Sequence, residues 1–268
     1  MVSADSRREL GWAVVELARR AGDAILEVYA RDFDVVAKED DSPLTQADLA
    51  SHRVIRDGLK ALTPDWPVLS EESAAIPWAT RREWARYWLV DPLDGTKEFV
   101  NRNGEFTVNI ALIEDHHPTL GAVHVPVSGR SFLGIPGDGA WVREDDGEPA
   151  AIGARQPHAH PPVVVASRSH GSEAVEALLE RLGEHERVSM GSSLKFCRVA
   201  EGRADFYPRL GPTSEWDTAA AQAVVEGAGG RVVTLDGKAL AYNTKQDILN
   251  PHFLVFGDPG RDWAALAG

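Results

Sequence analysis

The stretch that most constrains this chain is Trp88-Leu-Val-Asp91-Pro-Leu93-Asp94-Gly-Thr96-Lys-Glu98-Phe. Three apolar residues, two carboxylates three apart and then Gly-Thr read as a buried strand that ends in charge and passes into a helix N-terminus. One or two carboxylates beside phosphate oxygens are the usual company of a hard divalent cation such as Mg²⁺. The N–H groups of Gly95, Thr96 and their neighbours, at the positive end of a helix dipole, favour a phosphate at the same point. Taken alone, the two acids also fit a solvated turn around a Pro and a Gly.

The rest of the chain narrows the choice. Its 268 residues can bury a substantial core, as one large domain or two lobes sharing an interface. A net charge of −13 argues against affinity for nucleic-acid backbone, which needs clustered Lys and Arg. A cation held by carboxylates would still let an acidic site accept a small anion. No run of apolar residues is long enough to span a membrane, and the N-terminal Met-Val-Ser-Ala-Asp-Ser lacks the apolar core of a signal peptide. With a single cysteine, Cys197, no internal disulfide can form. A cytoplasmic protein is expected, with loose attachment to the inner membrane face and the oligomeric state left open.

Apolar residues Leu10, Val14, Leu17, Ala21, Ile25 and Val28 recur at spacings of three and four, predicting an amphipathic helix from about Ser6 to Tyr29. A charged loop holding Lys38 leads to a second helix from about Gln46 to Leu62, and a short strand then ends in Glu71-Glu72. After Glu98 the pattern is antiparallel sheet, with strands near Phe106–Glu114, Leu120–Val127, Arg130–Ile135 and Ala140–Val142. A Gly-, Pro-, Ala- and His-rich stretch around 147–162 reads as the boundary between two lobes, residues 1–155 and 156–268. Strands and helices alternate beyond it, so the fold class is α/β: an α+β N-terminal lobe and an α/β C-terminal lobe.

Glu71, Asp91, Asp94 and Asp217 each stand where an apolar segment meets a turn or a helix begins. Ser214-Glu-Trp-Asp217 and Thr45-Gln-Ala-Asp48 also fit capping boxes, which would explain both Asp residues without chemistry.

Together, Leu-Ser-Glu71-Glu, Asp91-Pro-Leu-Asp94-Gly-Thr96 and Trp216-Asp217-Thr-Ala-Ala, in that order, resemble the signature of the inositol monophosphatase superfamily of lithium-sensitive, Mg²⁺-dependent phosphomonoesterases. Asp-Gly-Thr96-Lys97-Glu-Phe, Asn103-Gly-Glu-Phe-Thr-Val-Asn-Ile-Ala-Leu, Ser167-Arg-Ser-His170 and Gly191-Ser-Ser-Leu-Lys195-Phe-Cys are similar to its 3′(2′),5′-bisphosphate nucleotidase branch. The resemblance runs from about Leu17 to Phe256 and implies a layered αβαβα sandwich. It implies that Glu71, Asp91, Asp94, Asp217 and the Leu93 carbonyl ligate two or three Mg²⁺ ions. Glu71 and Thr96 then activate water, and Asp48 orients the threonine hydroxyl. Phosphate rests on Gly95 and Thr96, Ser192, Lys195 and Arg209 grip a 5′-phosphate, and His170 lines the nucleoside pocket. Lys38 matches a segment that covers the site in relatives.

The substrate so implied is a small nucleoside bisphosphate, adenosine 3′,5′-bisphosphate or its sulfated precursor. Inositol monophosphatase or fructose 1,6-bisphosphatase activity on the same fold is the nearest alternative, and a non-catalytic metal or phosphate sensor is another. A covalent aspartyl-phosphate mechanism usually has one residue between its two Asp residues, whereas Asp91 and Asp94 have two.

Overall fold

The alternation of side chains along the central strands dictates the layering. The computed structural model describes residues 4–31, 43–167 and 173–267. In it α1 (Ala4–Tyr29) and α2 (Pro43–Leu62) precede a seven-stranded sheet. The sheet is built from β1 (Val68–Ser70), β2 (Arg86–Asp94), β3 (Thr107–Glu114), β4 (His117–Val125), β5 (Arg130–Ile135), β6 (Gly139–Glu144) and β7 (Ala150–Ile152), in that spatial order. The short helices α3 (Trp78–Arg81) and α4 (Thr96–Val100) interrupt it. β1 runs parallel to β2, and every later pair is antiparallel. A second, five-stranded sheet is ordered β11-β12-β10-β8-β9, from β8 (Val163–Ser167), β9 (Glu186–Met190), β10 (Phe206–Arg209), β11 (Arg231–Thr234) and β12 (Phe253–Phe256). Helices α5 (Glu173–Leu182), α6 (Leu194–Ala200) and α7 (Ala219–Gly227) join these strands.

On β2 and β3, Trp88, Val90, Val108, Ile110 and Leu112 pack with Val14, Leu17 and Ile25 of α1 and Ile55 and Leu59 of α2. The intervening Tyr87, Leu89, Ala111 and Ile113 point to the opposite face, where they meet Phe196 of α6, Ala220 and Val224 of α7, and Val165, Phe253 and Val255 of the second sheet. That sheet in turn sends Val164, Phe206, Leu254 and Phe256 outward onto Leu178 and Leu179 of α5 and onto Trp263. The period-two pattern therefore stacks helix, sheet, helix, sheet and helix, the layered sandwich expected above. α7 sits close on β4 and β5: a Cβ on Gly121 would fall 2.1 Å from the Ala220 carbonyl oxygen, and one on Gly134 would fall 2.2 Å from Val224 Cα.

Three details depart from expectation. The stretch 147–162 contains β7, which pairs with β6, because Ala150–Ile152 alternates too briefly to show against its Gly- and Pro-rich neighbours. α2 begins at Pro43, so Thr45 lies inside its first turn rather than ahead of it, and the expected capping box is not at the helix end. α7 begins at Ala219, two residues beyond Asp217.

Candidate active site

A strand places residues three apart on opposite faces, so Asp91 and Asp94 could not both serve one site on a regular β2. A bulge solves this. Asp91 pairs with Asn109 but Asp94 pairs with Thr107, so β2 carries one more residue than β3 between the two rungs and Asp94 is turned to the face of Asp91. The local bonds fix the kink: Leu93 donates its N–H to Asp91 Oδ1 at 3.0 Å, and Ser51 on α2 donates its hydroxyl to the Pro92 carbonyl at 2.8 Å. On the neighbouring strand Ser70 is in register with Val90, which brings Glu71, the next residue, level with Asp91. Asp48 lies one turn before Ser51 and His52 on α2, and His52 Nδ1 hydrogen-bonds the Ser70 hydroxyl at 2.9 Å. One helix face thus spans the carboxyl ends of β1 and β2.

Asp217 arrives from the far side of the sandwich. Its Oδ2 accepts the Ser214 N–H at 2.9 Å, which is half of the expected capping box. The box closes a turn ahead of α7, while the helix proper has Thr218 at its N-cap without a side-chain capping bond.

The acids feel one another. Asp91 is buried, and its carboxyl is pushed well above the usual carboxylate range, first by burial and then by Asp94, Glu71, Asp217 and Asp48. Burial also raises Asp94, against the pull of Lys195 and the Ser193 N–H. Asp217 is pushed up to about 8 by withdrawal from water and by Asp94. Among the described residues no three His, Cys, Asp or Glu side chains already form a cation cage. The donor set nonetheless fits a hard divalent cation: its atoms are all oxygens, its charges repel, and a cation relieves that repulsion where protonation is the other remedy.

Gly95, at φ +96°, turns the chain from β2 into α4. A Cβ there would stand 3.1 Å from the Glu105 carbonyl oxygen and 3.2 Å from Ser192 Cβ. The helix that follows has five residues, so its dipole adds less to an anion site than the sequence pattern implied.

A cleft of about 280 Å³ opens beside this turn. Asp94, Gly95, Thr96, Asp217, Ser192, Lys195, Tyr207, Arg209 and Thr213 are among the residues that line it, and Lys195 acts on Asp94 and Arg209 on Asp217 electrostatically. Asp48, Glu71, Asp91 and Leu93 lie outside that lining. Lys195, which sequence alone would place on a helix surface, is 7% exposed. Its Nζ donates to the Ser192 carbonyl at 2.5 Å and lies 5.6 Å from the centre of the Tyr207 ring. Burial lowers its pKa to about 8, with Arg209 adding to the fall and Asp94 opposing it. Arg209 donates from Nε to the Thr213 hydroxyl at 2.5 Å and from Nη2 to the Pro212 carbonyl at 2.6 Å. His170 and Lys38 lie outside the described residues.

Sequence reasoning missed the residues that hold Asp94. Ser193 donates its N–H to Asp94 Oδ2 at 2.6 Å and its hydroxyl to Asn109 Oδ1 at 2.9 Å, and it shares a 2.8 Å bond with the Thr107 hydroxyl. The available signal was Thr107 and Asn109, two polar residues two apart at the start of a strand that is apolar from Ile110 to Ile113, and therefore on one face.

The chain is 54% identical over 244 residues to the 3′(2′),5′-bisphosphate nucleotidase CysQ of Escherichia coli K12, covering 90% of this chain and 97% of that one. It is 34% identical over 254 residues to the protein of the same name from Haemophilus influenzae, covering 94% of each. The crystal structure of CysQ from Bacteroides thetaiotaomicron, a bacterial member of the inositol monophosphatase family, superposes with a TM-score of 0.84 at 40% identity, covering 93% of this chain and 97% of that one. An inositol monophosphatase from Zymomonas mobilis, 22% identical with a TM-score of 0.76 over 94% of this chain and 96% of its own, shares the fold. Residues 7–258 match the inositol monophosphatase family, and it is to that family that the chain belongs.

Proposed function

We propose that this protein is a phosphomonoesterase that removes the 3′-phosphate of adenosine 3′,5′-bisphosphate, releasing AMP and inorganic phosphate; the sulfated analogue would be cleaved at the same position. One observation carries the reading beyond the family: the cleft that holds Asp94 and Asp217 continues to a buried Lys195 and to Arg209. A substrate with one phosphate needs only the acids and their cation. A second phosphate gives Lys195 and Arg209 a purpose, the arginine as a fork of donors and the lysine as a point charge.

In this reading Glu71, Asp91, Asp94, Asp217 and the Leu93 carbonyl hold Mg²⁺. When bound, Mg²⁺ supplies positive charge for the phosphoryl oxygens and lowers the pKa of a coordinated water. Glu71 and the Thr96 hydroxyl orient the attacking water and take its proton, with Asp48 holding that hydroxyl in place. The Gly95 and Thr96 amides receive the phosphoryl oxygens. The water oxygen bonds to phosphorus as the bond to the ribose 3′-oxygen breaks, and a proton returns to that oxygen, so the step needs only positioning and charge. His170 serves the nucleoside. The partner is a small molecule. Among the described residues no helix is long and apolar enough to cross a membrane.

The test is phosphate release with Mg²⁺ from adenosine 3′,5′-bisphosphate, inositol 1-phosphate and fructose 1,6-bisphosphate at equal concentration. The nucleotide is expected to lead by at least about tenfold in kcat/KM, a difference of about 1.4 kcal/mol in transition-state stabilisation. A lead for inositol or fructose phosphate would keep the acids and remove the role given to Lys195 and Arg209.

A further inference from the structure

The turn between β9 and α6 carries Ser192 and leads directly to Lys195, yet it is a turn with little reason of its own to hold its shape. Ser192 has φ +43°, a left-handed conformation that a residue with a Cβ adopts only when its surroundings impose it. The restraint comes from the other sheet. Glu105, half-buried just ahead of β3, accepts the Gly191 N–H on Oε2 at 2.8 Å. Asp94 accepts the Ser193 N–H on the other side of Ser192. The two N–H groups flanking the strained residue are therefore both held by carboxylates from the β2–β3 segment.

The fit around this pair is tight. A Cβ on Gly191 would come within 2.5 Å of Glu98 Cγ, so the turn lies directly against α4. The Glu105 backbone is anchored locally, its N–H donating to Asn103 Oδ1 at 3.0 Å. The Ser192 carbonyl, oriented by this arrangement, is the acceptor for Lys195 Nζ at 2.5 Å. The chain of contacts runs from Glu105 through Gly191 and Ser192 to Lys195. Asp94 is assigned to the cation, whereas Glu105 has no part in the chemistry proposed above, although its carboxylate also favours the charged form of Lys195 electrostatically.

We infer that Glu105 is a positioning residue for the second phosphate: by holding the Gly191 N–H it sets the geometry in which Ser192 and Lys195 meet the 5′-phosphate of a nucleoside bisphosphate. This rests on the bisphosphate reading of the cleft. A bond from a backbone N–H to a carboxylate is among the stronger kinds, and its loss lets Ser192 relax out of the left-handed region.

The experiment compares wild type, E105A and E105Q on adenosine 3′,5′-bisphosphate and on adenosine 3′-monophosphate, which lacks the second phosphate. Wild-type preference for the bisphosphate tests the underlying reading by itself, and its absence removes both that reading and this one. Given the preference, E105A is expected to raise KM for the bisphosphate about tenfold with kcat within about twofold, and to leave kcat/KM on the monophosphate within about twofold. E105Q keeps an acceptor oxygen for Gly191 and should restore KM to within about threefold of wild type. Equal losses on both substrates in E105A, or no change in either, would overturn the role. Binding of AMP, which carries only the second phosphate, gives a readout independent of turnover: its dissociation constant should rise about tenfold in E105A and stay near wild type in E105Q. An unchanged constant in E105A, or an equal rise in E105Q, counts against Glu105 as the holder of the turn.

Discussion

Ser193 and Asp94, 99 residues apart in sequence, are joined by a 2.6 Å bond from the Ser193 N–H to the Asp94 carboxylate. The bond ties the turn before α6 to the kinked end of β2, so an acid assigned to the cation also holds the wall of the cleft. Its two duties can be separated. An amide at this position still offers an oxygen to Ser193 but brings no charge.

D94N is therefore expected to fold, with a melting temperature within a few degrees of that of wild type, because relief of repulsion from Asp91 and Asp217 offsets the lost attraction to Lys195. Turnover should fall by about two to three orders of magnitude. Steady-state phosphate release and thermal melting on the same preparation check both halves, and near-normal activity would remove Asp94 from the proposed ligand set.

Mutual repulsion among the acids gives a pH signature in the absence of substrate. The folded-state pKa of Asp217 is raised to about 8, and that of Asp91 is also raised well above the usual carboxylate range. Between the unfolded and folded values the native chain binds more protons, so these groups favour folding at low pH and lose that contribution as pH rises through about 8. Millimolar MgCl₂ should then raise the melting temperature by several degrees more near pH 8.5 than near pH 6. A shift independent of pH, or one retained in full by D217N, would contradict the assignment of Asp217 to the cation.

Lys195 titrates near 8 in the folded protein because its ammonium is buried. Above that pH the cleft loses a positive charge. For adenosine 3′,5′-bisphosphate, kcat/KM should fall as pH rises through about 8, whereas adenosine 3′-monophosphate should lack that limb. The sign for stability is opposite: between about 8 and the unfolded value near 10.5 the unfolded chain holds the extra proton, so Lys195 stabilises the fold as pH rises across that window. Identical profiles on the two substrates would place the titration elsewhere.

The seat of α7 on β4 leaves no room at Gly121. G121A should cost about 3 kcal/mol, read from the urea midpoint, because the displaced neighbour is the Ala220 backbone rather than a side chain that can swing away. G211A, where no atom lies within 4 Å of the added carbon, is the control and should change stability little. Equal effects would mean that α7 tolerates being lifted.

The parts of this molecule that local pattern could reveal are those where one residue type meets one physical demand. Val14, Leu17, Ile25 and their partners show a helix face, and Asp91, Asp94, Glu71 and Asp217 show acids at element ends. The bulge that brings Asp91 and Asp94 to one face is invisible in the sequence, since no Gly marks it and the pairing partners Asn109 and Thr107 decide it. Likewise nothing near Glu105 shows that Gly191 is its partner, because the bond forms only once the two sheets are packed. Lys195 looked like a surface charge because α6 is short and its neighbours Phe196 and Cys197 are buried too, a helix closed on most sides by α7 and β10.

The order of these pieces along the chain has a consequence for synthesis. Asp48, Glu71, Asp91 and Asp94 all lie in the first part of the polypeptide, but Asp217 lies about four-fifths of the way along it, in the turn that leads into α7. α7 also fills the layer between the sheets, meeting β3, β4 and β5 of the first and β11 of the second. A ribosome that has made the first two hundred residues has made four of the five acids proposed for the site and not the fifth. The stretch of chain that completes the interior also delivers the last of the proposed ligands, so in the reading above the packed interior and the full set of acids are completed together, late in synthesis.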